Sequence, residues 1–126
     1  MAEKTAAKKT EDKQIKPIIL KDDNNGDVFV LEFDRASVKF AESRGFNINT
    51  FDTGLNMSAI EELFFYAFRK HQPNKSKADT DKILYEKLKG IPEGMLERLV
   101  ELYLLPFNTL MQNEDDSKNS TMTVEF

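Results

Sequence analysis

Residues 60–71 read IEELFFYAFRKH and hold the unbroken apolar run LFFYAF, and how they are read decides the fold. Ile60, Leu63, Phe64, Ala67 and Phe68 recur at i, i+3, i+4, i+7 and i+8, which is one face of an α-helix. Phe65 and Tyr66 fall off that face, so the helix is apolar over more than half its circumference. A helix wetted along one side needs only a stripe, so this one is expected to be central and mostly buried. Ser58 is the expected N-cap, and its spacing to Glu61 fits a capping box. Glu61 and Glu62 in the first turn and Arg69, Lys70 and His71 in the last complement the helix dipole. Gln72-Pro73 is the expected stop.

Toward the N-terminus, IKPIILK and VFVLEF flank DDNNGD, a β-hairpin pattern. Asn25-Gly26 suits a type I′ turn, which needs positive φ at both central residues. Centring the turn there pairs Leu20 with Leu31 and Ile18 with Phe33. One face then carries Ile18, Leu20, Phe29, Leu31 and Phe33, and the other Lys21, Asp23, Val28, Val30 and Glu32. Pro17 donates no ladder bond, so its strand starts there or lies at an edge. An isolated hairpin is marginal in water, so the apolar face is expected against the helices, with Phe64 and Phe68 in the same core.

Asp34 caps a short predicted helix over 35–44, with Gly45 at C′ and Phe46 following. Residues 47–57 read as an ordered loop. A third helix is predicted over 77–88, with Leu84, Tyr85 and Leu88 inward and Gly90 ending it. Pro92 opens a fourth at N1, Leu96, Leu99, Val100, Tyr103 and Leu104 form its stripe, and Pro106 ends it. The expected class is α+β: an N-terminal hairpin packed on about four helices, as one domain over 15–111. Residues 1–14 read as a disordered tail and 112–126 as a flexible acidic one. MTVEF at 122–126 reads as a strand or a docking peptide.

Composition narrows the function. Cysteine is absent, which removes disulfides, thiolate chemistry and Cys-type zinc sites. No apolar run reaches the roughly 18 residues of a membrane span, and the first residues lack the apolar core of a secretory signal. A net charge of −4 argues against a nucleic-acid partner. DDNNGD partly fits a calcium loop, with Gly26 at the sixth position and Asp23, Asn25 and Glu32 as ligands. Lys21 stands at the first ligand position, however, and a hairpin turn explains the same residues. His71 is the single histidine, and Glu61 and Glu62 lie too far along its helix to orient it, so it reads as a helix C-terminal residue. Arg69, Lys70, Lys75 and Lys77 cluster at a helix–turn–helix-like junction, but the acidic residues of the third helix make this a solvated face. No glycine-rich phosphate loop, nucleophile motif or carboxylate pair is present, so the residues indicate a non-enzymatic domain with no cofactor and no metal.

Three runs carry a resemblance: VLEFDRASVKFAESRGF at 30–46, ELFFYAFRKHQPNKSKADTDKIL at 62–84, and LKGIPEGMLERLVELY at 88–103. Together they resemble the tail assembly chaperones of long-tailed phages and prophages of Gram-positive bacteria, over about residues 28–105. This is a whole-domain pattern with no active-site residues. The resemblance implies a protein that coats the long, helical tape measure protein, recruits tail tube protein, acts in the host bacterial cytoplasm and is absent from the mature virion. In many such phages a frameshifted longer product contacts the tube protein, and QNEDDSKNS at 112–120 would suit a link to such an extension. Competing classes are a structural tail or head-completion protein and a small DNA-binding regulator.

Apolar residues beyond what a small core needs would form the client surface: Phe46, Ile48, Phe51, Leu55 and Met57 in the loop, and Leu102, Leu105 and Phe107 at the end of the fourth helix. Many copies on one client imply weak self-association, in a ring or an open spiral.

Overall fold

The computed structural model describes residues 15–54, 56–111 and 121–126. Two strands, β1 (Ile18–Lys21) and β2 (Val28–Leu31), form an antiparallel hairpin. Four helices follow: α1 (Arg35–Ser43), α2 (Met57–Ala67), α3 (Lys77–Lys82) and α4 (Met95–Leu110). A 3₁₀ segment, Ile48–Thr53, lies between α1 and α2. The class is the α+β arrangement expected from the sequence. The predicted tail at 1–14 and residues 112–120 of the predicted C-terminal tail lie outside the described residues.

The hairpin turn is longer than Asn25-Gly26 suggests. Ile18 pairs with Leu31 and Leu20 with Phe29, two residues from the predicted register. Asp22 N–H donates to Asp27 C=O at 2.8 Å, and Gly26 N–H reaches back to Asp22 C=O at 2.8 Å. Asp22 Oδ1 accepts from Asn24 N–H and Asn25 Oδ1 from Asp27 N–H, each at 2.9 Å. Side-chain oxygens thus compete for the turn amides, and only Gly26 of this loop takes positive φ, so a type I′ turn cannot form. The shift is an even number of residues, so each side chain keeps its face. Leu31 and Phe33 are buried, while Ile18, Leu20 and Phe29 pack partly buried against the same core.

In α1 the Asp34 carboxylate accepts from Ser37 N–H at 2.8 Å, and Ser37 Oγ accepts from Asp34 N–H at 2.9 Å, a complete capping box. The helix closes as a Schellman motif: Phe46 N–H donates to Ala41 C=O and Gly45 N–H to Glu42 C=O, with Gly45 at φ 93°. That closure drops Phe46 into the core.

The central helix α2 is buried as expected, with Leu63, Phe64 and Ala67 at zero exposure. Its ends differ from the sequence reading. Asn56, not Ser58, is the N-cap, accepting from Ala59 N–H at 3.1 Å. Phe68 is the C-cap, so Arg69, Lys70 and His71 lie beyond the helix and not in its last turn. Tyr66 is buried as well, its ring 5.6 Å from Phe46. An aromatic chain ties the elements together: Phe29–Phe68–Phe64 joins hairpin to α2, and Phe33–Tyr103–Phe46–Tyr66 joins β2, α4, α1 and α2. Each such pair is worth about 0.5–1.5 kcal/mol beyond its buried area.

After α3 the chain passes into a π turn, Ile83–Lys87, with Leu88 N–H donating to Ile83 C=O at 2.8 Å. The extra residue per turn places Ile83 and Leu84 inward and turns Tyr85 out. Tyr85, expected inside, is 48% exposed and donates its hydroxyl to Glu61. Helix α4 starts later than Pro92, with Gly94 as N-cap, and Pro106 lies inside it instead of ending it. Its buried face is Met95, Leu99, Leu102 and Tyr103. Leu104, assigned inward from the sequence, faces solvent.

Candidate functional site

One surface with exposed apolar area is the C-terminal end of α4. Leu104 is 39% exposed, Leu110 66% and Met111 71%. Pro106 has no N–H to give Leu102 C=O, so this half of the helix lacks one rung of its ladder. It is held instead by packing and by side chains. The Phe107 ring lies 6.0 Å from Tyr103, Thr109 Oγ1 donates to Pro106 C=O at 2.8 Å, and Arg35 Nη2 donates to Thr109 C=O at 3.2 Å.

Phe107 separates two clefts. Between α1 and α4, Val38, Pro106, Phe107 and Leu110 line a cleft of about 270 Å³ rimmed by Arg35, Lys39 and Glu42. On the other side Phe46, Ile48, Tyr103, Leu104 and Phe107 line one of about 520 Å³. Burial, then the nearby Glu42 carboxylate and Tyr66, push the Tyr103 hydroxyl up to about 12, so it stays neutral. The smaller cleft is mainly apolar with charges of both signs at its rim, whereas the larger one also carries Glu42, Asn47 and Asn49 among its apolar residues. Such a surface can hold an apolar helix stripe.

The eight residues expected on a client surface divide. Phe46 is 5% exposed and Leu102 1%, so both lie in the core, although Phe46 also lines the larger cleft. Ile48 and Phe107 do line the larger cleft. Phe51 packs partly buried against the core, and Leu105 is half-buried. Met57 is exposed at the start of α2, and Leu55 lies outside the described residues. The sequence reading missed Val38, Leu104, Pro106 and Leu110. The sequence alone allowed a stripe that included Leu104; with Met95, Leu99 and Leu102 inward in the structure, helical phase turns Leu104 away.

A family model described as a domain of unknown function, DUF5055, matches residues 2–126. The chain belongs to the DUF5055 family. No curated protein and no solved structure matches it.

The polar clusters of this DUF5055 chain find partners within the fold. His71 Nε2 lies 2.8 Å from Glu32 Oε1, and Lys70 Nζ 3.1 Å from the same oxygen. The partner of His71 therefore comes from the end of β2, which sequence spacing within its own helix could not reveal. Burial raises the Glu32 carboxyl, but the His71 and Lys70 contacts outweigh it and hold the group below its ordinary range. The basic junction is also engaged: Arg69 stacks 3.8 Å over Phe40, Lys75 lies 5.0 Å over Phe29, and Lys77 pairs with Asp81 at 3.0 Å. In the DDNNGD loop, the turn amides and Lys87 take the Asp22 and Asn25 oxygens. Among the described residues, no group of three or more His, Cys, Asp or Glu is placed to hold a metal ion. None of their helices is long and apolar enough to cross a membrane.

Proposed function

We propose that this protein is a tail assembly chaperone that holds the tape measure protein of a long-tailed phage through the two clefts around Phe107. The observation that carries the reading is the apolar end of α4, where Leu104, Leu110 and Met111 are exposed around Phe107, itself packed partly buried against the core. A long helical client presents apolar residues at i, i+3, i+4 and i+7, and a shallow apolar groove with a charged rim of mixed sign accepts many such stripes. The resemblance of residues 30–46, 62–84 and 88–103 to tail assembly chaperones supports the same reading. Recruitment of tail tube protein, action in the host cytoplasm and absence from the mature virion belong to this proposal.

Co-expression with the tape measure protein of the same genome tests it. A soluble complex should co-purify. Leu104→Glu with Leu110→Glu should abolish it while circular dichroism stays native, because both side chains face solvent. A tape measure protein equally soluble alone would refute the chaperone role, and a double variant that still binds would refute the surface.

A further inference from the structure

We propose that residues 121–126 of one copy of this chain add as a strand to the outer edge of β1 in a second copy. The two edges of the hairpin are treated differently. In an antiparallel ladder, bonded pairs alternate with pairs whose backbone groups point outward. Asp22 N–H donates to Asp27 C=O, so the pairs 20–29 and 18–31 are bonded, and residues 19, 21, 28 and 30 face outward. On the β2 side the protein closes this edge itself. The Gln72 carboxamide accepts from Val30 N–H at 2.9 Å and donates to Val30 C=O at 3.0 Å, standing in for a neighbouring strand. Glu32 N–H continues the edge by donating to Ala67 C=O at 3.0 Å. On the β1 side, no described residue hydrogen-bonds the outward groups of Ile19 and Lys21. An open edge of this kind is a template for an added strand.

The segment TMTVEF at 121–126 has the pattern such an edge takes. Met122, Val124 and Phe126 share one face and all are exposed, while Thr121, Thr123 and Glu125 share the other. Beside β1 lies a cavity of about 460 Å³ in which Leu20, Phe29, Ile83 and Leu88 would meet the apolar face, among charged residues that include Lys21, Asp22, Glu86 and Lys87. Glu125 then falls on the face where β1 presents Lys21, a favourable cross-strand pair. The nine residues 112–120 can span about 30 Å at the covalent limit of roughly 3.3–3.6 Å each. Edge and segment nevertheless stay apart within one chain, with Val124 and Phe126 exposed, so the occupant is a second copy. Each copy then offers one edge and one segment, so the contact either closes as a reciprocally exchanged dimer or extends head to tail.

The test uses the pure full-length chain and does not depend on the client, so its failure leaves the chaperone reading standing. Sedimentation over a concentration series should show mass rising above the monomer. Val124→Pro, outside the folded core, should return it to monomer, and so should Ile19→Pro, whose lost N–H points outward. An equal mixture of the two variants should form dimers and nothing larger, since one intact segment meets one intact edge. If Ile19→Pro perturbs the fold, addition of the peptide TMTVEF to Val124→Pro should instead shift the Ile19 and Lys21 amide resonances. The proposal is overturned by a wild-type chain that stays monomeric, including one whose Ile19 and Lys21 amides are protected within the monomer. Unchanged association of Val124→Pro overturns it too.

Discussion

Helices α2 and α4 are both rich in large apolar residues, and the structure uses them differently. Every large apolar side chain of α2 from Leu63 to Tyr66 packs into or against the core, because the hairpin, α1 and α4 surround the helix. The first half of α4 behaves likewise through Met95, Leu99, Leu102 and Tyr103. Its second half runs past the core, and only α1 and the 3₁₀ segment flank it. Apolar content therefore does not separate core from surface; what lies opposite each side chain does. A helix can be apolar around most of its circumference and still be covered, while its similarly apolar neighbour leaves one end exposed.

Truncation across the two helices tests that contrast with the largest expected effects. Phe68→Ala, at the buried end of α2, should cost about 3–5 kcal/mol, and Leu102→Ala about 2–5 kcal/mol. Leu104→Ala, two residues further on, should cost under about 1 kcal/mol, because its side chain already meets water. Urea melts of the three variants decide it, and equal losses at Leu102 and Leu104 would erase the distinction between core and surface on α4.

A middle-sized effect is expected at the join between α2 and the hairpin. Gln72→Ala removes both hydrogen bonds to Val30 and should cost about 1–3 kcal/mol, at about 0.5–1.5 kcal/mol per bond. Amide exchange should then speed up at Val30 and leave Leu63 unchanged. Uniform acceleration across the domain would mean that Gln72 supports the whole fold and not one edge.

The smallest effect belongs to Glu32, which joins the same two elements by charge. Its carboxyl is held below its ordinary value, so its contribution is present above about pH 4.5 and is lost as pH falls through the lower folded-state value. Glu32→Gln should cost about 0.2–1 kcal/mol at neutral pH, as for a partly exposed ion pair. The gap between wild type and variant should close in acid. A gap that widens on acidification would reverse the sign argued here.

Local rules made much of this architecture legible. The helical period through 60–68, the Asp34 cap, the Gly45 closure and the alternation of both strands are short-range consequences of side-chain spacing and backbone sterics, and each can be read from a few neighbouring residues. The family resemblance was equally a property of the sequence. Part of what escaped was a competition among near neighbours, and the rest was decided between distant residues. Asn56 displaced Ser58 as the cap of α2, and Asx bonds at Asp22 and Asn25 overrode the type I′ preference of Asn-Gly. Pro106 stayed inside α4 because tertiary contacts through Phe107 and Arg35 outweigh a missing rung. Glu32 found His71, and Gln72 found Val30, across about forty residues of chain. The same holds for the candidate surface. The sequence supplied an excess of apolar residues near 46–57 and 102–107, but only packing could assign Phe46 and Leu102 to the core and leave Leu104 and Leu110 outside. Local sequence sets which face of an element is apolar. What covers that face depends on elements far away in the chain, and hydrophobic burial is blind to sequence distance.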